Sequence, residues 1–524
     1  MNRESALKQI GGTDLWDVVV VGAGATGLGA ALDAVSRGYR TVLIEQADFG
    51  KATSSRSTKL SHGGVRYLRQ GNIALVMEAL KERGRMLRNA PHLVRRQGFL
   101  IPAASLWEMV FYGAGLKVYD ALAGKASFGR SRMMAASAVR ERMPSLSRLP
   151  MAGGVLYFDG QFDDARYCIA LAQTMVDKGG AALNYARMVR LLKQNGRVAG
   201  VVARDIETGD AFDLPARVVI NATGVFSDDV RRLDEPGSAP MLTVSQGSHF
   251  VLPKSFLPGM DALMVPRTSD GRVLFAIPWE GAVVVGTTDE PVPSATLEPR
   301  ALPVEMEFLS RNIELCFGRR PQESDVLSMW SGLRPLIRKQ GARSTAALSR
   351  EHEVSVSASG LVSVAGGKWT TYRSMAEDAV DIAARSGGLP ERASGTREMR
   401  LHGWSETAAE RSDPGEDFSP YGADQAMVDA LAAASPALGR ALHPSLPYHQ
   451  AQVVWAARYE MARTVEDVLA RRTRSLFLNA RAAIEAGSTV AAVMARELGR
   501  DERWQRQQVE DFTQLASSYI YRAQ

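Results

Sequence analysis

"DLWDVVVVGAGATGLGAALDAVSRGYRTVLIEQ" (residues 14–46) holds a short apolar run, a cluster of glycines, an alanine-rich segment and a second apolar run, in that order. "DVVVVG" is β-branched, short and closed by glycine, which predicts a strand covered on both faces. The alanine-rich segment predicts a helix, and "TVLIE" a second strand. Gly22, Gly24 and Gly27 fall in G-x-G-x-x-G spacing. Each has a physical reason: a tight turn, close approach of backbone to a pyrophosphate, and close packing of helix on strand. The helix N-terminus then turns its free N–H groups and positive dipole end towards the diphosphate. Glu45, at the end of the second strand, is placed to accept hydrogen bonds from a ribose. The glycine spacing alone is weak evidence. With strand, helix, second strand and terminal acid in register it specifies a Rossmann-like dinucleotide fold.

Two later segments choose between dinucleotides. "ARVVINATG" (residues 216–224) reads as a strand ending in a turn, with Ala222 and Gly224 packed against the first nucleotide loop. "GLVSVAGGKWTTYRSMAEDAVDIAA" (residues 360–384) is strand, Gly366–Gly367 turn and helix, about 340 residues after the first glycines. A fold that returns so late to its cofactor predicts FAD, with a helix N-terminus stabilising negative charge on the reduced ring. A separate NAD domain would need a second complete glycine fingerprint, which the sequence lacks. Between these segments, "SHFVLP", "GRVLFAIPWEGAVVVGTTD" and "HEVSVSAS" have the short β-branched runs of antiparallel strands. Beyond about residue 384, "SGGLPERASG" and "SDPGEDFSPYG" are linker-like, and the remainder is Ala/Arg/Glu-rich with helical spacing.

The chain has 524 residues, 45% of them hydrophobic, and two cysteines, Cys168 and Cys316, in no metal-ligand spacing. That argues against a disulfide scaffold or metal centre and fits a reducing cytoplasm. The first apolar run is too short for a signal peptide, and no apolar run reaches the roughly 18 residues of a spanning helix. Net charge is +6, yet residues 51–100 alone carry eleven Lys/Arg against two Glu. The basicity is local, and nucleic acid, lipid or a small anion would each explain it. "SLWEMVFYGAGLKVYDALAGK" (residues 105–125) is rich in large apolar side chains but broken by charges and glycines. It reads as an amphipathic helix dipping into lipid headgroups or as a helix packed on the protein's own sheet. "ARRTR" (residues 470–474) reads as a lipid or subunit contact or, as is usual for such clusters, a solvated helix face.

The segments "ATSSRSTKLSHGGVRYL", "FDDARYCIALAQ", "INATGVFSDDV", "GSHFVLP", "LFAIPWEGAVVVGTTD", "WSGLRPL", "AGGKWTTYRSMAE" and "YEMARTVEDVLARRTRSLFLN" follow one another nearly end to end. In that combination and order the chain resembles the FAD-dependent, quinone-linked glycerol-3-phosphate dehydrogenases. The resemblance implies oxidation of sn-glycerol 3-phosphate to dihydroxyacetone phosphate, with hydride passed to FAD and electrons onward to a membrane quinone. It also implies an α/β fold with an FAD domain of the glycine/D-amino-acid oxidase type, interleaved with an antiparallel substrate cap and followed by a helical domain. The boundaries expected are 1–390 for the interleaved pair, with the cap mainly at 85–150 and 240–350, and 391–524 for the helices. Peripheral attachment to the inner face of the cell membrane, and a homodimer, are further expectations. The sequence departs from the family pattern at "KLSHGG", where an apolar residue often precedes the histidine, and at "RPLIRKQGARS", which is more basic than usual.

Oxidising a phosphorylated secondary alcohol needs cations for the phosphate and a base for the hydroxyl proton. Arg66, Arg334 and Lys368 lie beside glycines or at strand–helix turns, and Arg272 is a weaker fourth. Arginine's planar fork holds two phosphate oxygens at once. His62 and His249 are the candidate bases, since imidazole titrates near working pH. In the resembling family the positions of His62, Arg66, Arg334 and Lys368 line the substrate site. Tyr67 donates to a phosphate oxygen or merely packs. Ser54, Ser55, Ser57 and Thr58 offer hydroxyls to the cofactor, and Gly63 and Gly64 let backbone pass close to a flavin. Thr370 and Thr371 cap the last helix or touch the flavin. The competing functions are a glycerol-3-phosphate oxidase using oxygen, an amine or amino-acid oxidase on the same fold, and a non-catalytic flavin- or nucleic-acid-binding protein. Only 34 positions separate Arg334 from Lys368, where oxidase relatives commonly carry an insertion. Tyr67 and Phe99 are the sole aromatics among the basic residues of 51–100, too few to stack bases, so nucleic acid is not an expected partner.

Overall fold

The structure is a computed structural model that describes residues 1–65, 72–146, 149–268, 271–338, 352–410 and 418–523. Arg66, Tyr67 and most of the basic run after Leu336 lie outside the described residues.

Two large sheets organise the chain. The first runs in the order His352–Val356, Val362–Gly366, Ala211–Asn221, Trp16–Val21, Thr41–Ile44, Ala181–Leu183, with the ribbon Ala186–Gln194 and Arg197–Asp205 extending from Ala211–Asn221. Trp16–Val21 pairs in parallel with a strand on either side. Val18, Val19 and Val20 have no exposed surface, which explains the unbroken apolar run. Helices Ala25–Ser36, Asp164–Asp177 and Tyr372–Ser386 pack together over this sheet. The fold is thus of the glycine/D-amino-acid oxidase type.

The second sheet has ten strands, all antiparallel except where Ala262–Val265 runs parallel to Val94–Ala103. Beyond the stretches expected for a cap, it takes in Leu60–Ser61 and Gly153–Phe162. Gly153–Phe162 is buried on both faces and shows no alternation by which it could be read. Leu242–Pro253 and Ser328–Ile337 lie side by side in a register that sets Ser245 opposite Arg334 and His249 opposite Trp330. Residues 245, 247 and 249 share one face of their strand. This brings the Arg334 and His249 positions to the same side of the sheet.

The C-terminal helices, among them Gln450–Tyr459, Ala480–Leu498 and Glu502–Ser517, share an apolar core with Trp279, Val284 and Trp330 of the second sheet. Within this domain "ARRTR" is not a solvated face. Arg471, Arg472 and Arg474 are buried, and their partners are Asp48, Glu466, Asp467 and Asp164. The basic run 51–100 is likewise largely internal. Lys51 pairs with Glu466, Arg56 with Glu298, Lys59 with Asp164, Arg83 with Asp159 and Arg85 with Glu82. Most of these carboxylates are far away in sequence, so a window count overstated the local charge.

Candidate active site

A cavity of about 660 Å³ opens where the first sheet's strands end, lined by Gly22, Gly24, Glu45, Ser54, Ala222, Gly224, Gly366, Gly367 and Lys368. The glycines are there because nothing larger fits. Gly22 has φ +100°, and a Cβ on it would lie 2.7 Å from the Ala222 carbonyl oxygen. A Cβ on Gly27 would lie 1.8 Å from the Gly22 carbonyl oxygen, which is why Gly27 serves packing and does not line the cavity. Ala25 N–H, the first donor of the helix, bonds Ser54 Oγ at 2.9 Å. Glu45 accepts from the backbone N–H groups of Ala23 (2.7 Å) and Ala47 (3.0 Å), and burial raises its pKa against those two bonds. Each of its oxygens keeps a second lone pair for a ribose hydroxyl. The glycine cradle, the helix N-terminus and the acid at the strand end fit FAD. Gly27→Ala is expected to yield colourless protein, since overpacking against backbone has no side chain to move. The ratio of visible to 280 nm absorbance after purification checks it.

Beside this cavity the loop 51–61 meets the second sheet. Thr58 Oγ1 and His249 Nε2 are 2.9 Å apart, and the His249 ring stacks on Trp330 with centroids 5.1 Å apart. A Cβ on Gly286 would lie 2.2 Å from His249 Cδ2, so that glycine makes room for the imidazole. His249 is fully buried, and burial first, then the charges of Lys59 and Arg334, hold its pKa well below 6.5. Its Nδ1 has no hydrogen-bond partner among the described residues. Arg334 lies over Gly247, where a Cβ would be 2.1 Å from its Nη2, and it donates to Thr287 Oγ1 (2.9 Å) and the Thr288 carbonyl (3.0 Å). Asp289 is its ion-pair partner at 3.2 Å. The result is a neutral imidazole with a buried nitrogen, unpartnered among the described residues, and a fixed guanidinium on one sheet face.

The other candidates scatter more. Lys368 lines the cavity. Arg272 pairs with Glu290, which lies opposite Gln246, and stacks over Phe308; this is the other face of the sheet from Arg334, so Arg272 is not brought to the site. His62 lends its carbonyl to Thr370 Oγ1 at 3.4 Å. Neither Thr370 nor Thr371 caps the helix Tyr372–Ser386, which has no side-chain cap; Thr371 turns back to the Lys368 carbonyl. Ser57 gives its hydroxyl to Asp164 (2.7 Å), a bond that stabilises the loop and leaves the cofactor aside. Ser55 is buried and its carbonyl carries the contacts. Gly63 is small because Leu80 and Tyr119 press on it, and its N–H goes to Asp159; Gly64 needs a positive φ of 80°. Gly247, Gly286, Thr287, Asp289 and Trp330 escaped the sequence reading. They sit inside quoted motifs, but nothing local shows that the two strands pair.

Residues 17–373 match the family model described as DAO, FAD dependent oxidoreductase, and 395–505 match the C-terminal domain of alpha-glycerophosphate oxidase. The chain is therefore an FAD-dependent oxidoreductase of the DAO family, and FAD is its cofactor. The mitochondrial glycerol-3-phosphate dehydrogenase of Homo sapiens is 39% identical over 551 residues, covering 99% of this chain and 75% of that protein. The structure of glycerol-3-phosphate dehydrogenase from Bacillus halodurans complexed with FAD superposes with a TM-score of 0.80, at 29% identity and 99% coverage of both chains. Glycine oxidase from Geobacillus kaustophilus shares the fold, with a TM-score of 0.53 at 18% identity over 74% of this chain and 99% of that one. Within the oxidoreductases, this chain belongs to the glycerol-3-phosphate dehydrogenase family.

Proposed function

We infer that this protein oxidises sn-glycerol 3-phosphate to dihydroxyacetone phosphate and passes the electrons to a membrane quinone. The pairing of a neutral His249 with Arg334 across Gly247 carries the reading, because it offers a proton acceptor and an anion clamp to one small molecule. Bound FAD supplies the hydride acceptor. Arg334, with its fork held by Thr287 and Asp289, binds phosphate oxygens, and Lys368 adds a second charge from the cavity wall. Donation of Nε2–H to Thr58 Oγ1 would leave the Nδ1 lone pair of His249 to take the hydroxyl proton. Burial of His249 and the Trp330 stack keep water from that nitrogen. Anaerobic mixing of the purified holoenzyme with glycerol 3-phosphate is expected to bleach the flavin band. Persistence of the band, with bleaching by an amino acid instead, would overturn the assignment. Peroxide yield against reduction of a soluble quinone analogue separates oxygen from quinone as acceptor.

Peripheral membrane contact has one clear candidate. No helix among the described residues is long and apolar enough to cross a bilayer. Helix Leu106–Ala123 buries Gly113, Leu116, Tyr119 and Ala123 against its neighbours and exposes Leu106, Trp107, Val110, Phe111 and Val118 by half or more. Met133 and Arg132 extend the patch on the adjoining strand. Apolar rings beside basic residues suit a headgroup layer. Changing Trp107 and Phe111 together to glutamate is expected to weaken binding to anionic vesicles by at least ~100-fold, at about 1.5–3 kcal/mol for each large side chain removed from apolar surroundings. Dye-linked activity in solution should hold. Vesicle flotation beside a dye assay checks both.

A further inference from the structure

The segment 466–474 of the C-terminal domain is built around buried charge; part of it pairs within the domain, Arg471 with Glu466 and Asp467, and the rest is directed at the loop that carries Ser54 and Thr58. Asp48, at the loop's start, has no exposed surface and accepts from Arg471 Nε (2.5 Å) and from Arg472 Nη1 and Nη2 (2.6 and 2.9 Å). Lys51 reaches Glu466 at 2.7 Å. Further along, Arg474 Nη2 donates to the Ser55 carbonyl (3.0 Å) and to Asp164 Oδ1 (3.1 Å). Lys59 Nζ meets the same two acceptors at 2.8 and 3.0 Å, and Ser57 bonds Asp164 through both its N–H and its hydroxyl. One buried carboxylate therefore ties the C-terminal domain to Ser57 and Lys59 of the loop.

The backbone is held in an uncommon conformation at both cationic ends of this knot. Arg474 has φ +61° and Lys59 has φ +62°, a region that L side chains rarely adopt. Segment 467–472 is a π-helix, a winding that recurs where function demands it. Such departures persist when their surroundings over-determine them. The same loop makes the contacts on which the site depends: Ser54 Oγ to the first N–H of the nucleotide helix, the Ser54 carbonyl to Trp369 Nε1 (2.8 Å), Thr53 Oγ1 to the Leu333 carbonyl (2.8 Å) and Thr58 to His249.

We propose that Arg474 is a positioning residue for substrate oxidation: from the C-terminal domain it fixes, through Asp164 and the Ser55 carbonyl, the loop whose Thr58 orients His249. The helical domain is then a working part of the catalytic site although it does not line the FAD cavity. Its arginines and Glu466 hold the loop at 48, 51 and 55–59, so the nucleotide helix, the late turn at Trp369 and the second sheet keep one mutual arrangement.

The inference rests on the reading of His249 as part of the oxidation site, and bleaching of wild-type flavin by glycerol 3-phosphate tests that reading separately. The experiment is a double-mutant cycle on the holoenzyme, combining Arg474→Lys with Thr58→Val and measuring the rate of anaerobic flavin reduction. Arg474→Lys keeps the charge and loses the fork by which Nη1 holds the Ala470 carbonyl while Nη2 meets Ser55 and Asp164. It is expected to retain FAD, to slow flavin reduction at saturating substrate by roughly 10-fold or more, and to change the half-saturating concentration by less than about 3-fold. The double variant should be no more than about 2-fold slower than the slower single variant, because both changes break one link. Rates within 2-fold of wild type, or effects of the two changes that multiply, would overturn the proposal. Should Arg474→Lys lose FAD, Ser57→Ala trims the Asp164 knot from the loop side without removing a charged group. Its cycle with Thr58→Val must show the same non-additivity, and multiplying effects there overturn the proposal equally.

Discussion

Arg334→Ala is expected to lower kcat/KM for glycerol 3-phosphate by roughly 10³-fold while the protein stays folded and yellow. Truncating one partner of a hydrogen-bonded charge pair costs about 2–5 kcal/mol, and each 1.4 kcal/mol is about a factor of ten. Two features of this site push towards the upper part of that range. Arg334 is held by Thr287 Oγ1, the Thr288 carbonyl and Asp289, so its fork is ordered before the phosphate arrives. When it is removed, Asp289 is left as an uncompensated carboxylate where a dianion must bind. Arg334→Lys keeps the charge but reaches one oxygen at a time, and about 10–100-fold is expected to be lost. The half-saturating concentration should rise more than kcat falls, because the phosphate lies away from the bond that breaks. The Arg334 side chain is 21% exposed and sits at the site's edge, so the thermal midpoint should move little. Steady-state kinetics with a soluble quinone analogue, beside a melting curve, checks all four. A loss of less than about 5-fold for Arg334→Ala would mean that the phosphate is held elsewhere.

What could be read in advance divides by how far apart the deciding atoms are in the chain. The nucleotide fold was legible because its deciding constraints are local: Gly22 needs a positive φ, Gly27 meets the Gly22 carbonyl within the same turn, and Val18 to Val20 announce a strand covered on both sides. The composition change near residue 384 likewise marked the helical domain. Arg334 and His249 were visible one at a time, as chemically suitable residues beside glycines. Their shared face was not, because it depends on a strand register between residues 242–253 and 328–337. Charge misled for the same reason. "ARRTR" reads as a surface cluster until Asp48, more than 400 residues earlier, is placed against it. Lys59 counts towards the basicity of residues 51–100 until Asp164 and a cage of Trp279, Trp330 and Phe477 enclose it. Burial, with Arg474 nearby, then pushes its ammonium down to about 7. The loop that looked like a row of hydroxyls for the cofactor is divided: Ser54 caps the nucleotide helix, Ser57 secures the knot and Thr58 serves the histidine.

His249→Gln is expected to slow flavin reduction by roughly 10²–10⁴-fold, the usual contribution of one well-placed proton acceptor, with FAD retained. Its pH dependence identifies the group. The active form is the neutral ring, and burial, Lys59 and Arg334 all disfavour the protonated one. Wild-type flavin reduction should therefore hold as pH falls through 6.5 and decline only well below it, whereas an unperturbed histidine would already be half protonated there. Lys59 changes charge near 7, so the wild-type profile contains more than one group, and the difference between wild type and His249→Gln isolates the histidine. Stability supplies an independent sign. Below about 6.5 the unfolded chain takes a proton at this position that the folded chain refuses, so wild type loses up to about 1.4 kcal/mol per pH unit from this group on acidification. His249→Gln lacks that term, and its melting temperature should fall less steeply on the acid side. Flavin-reduction rates and melting curves between pH 5 and 8 read both effects. If His62→Gln abolishes the acid limb and His249→Gln leaves it in place, the proton acceptor is His62, and the Thr58–His249 pair serves only to shape the pocket.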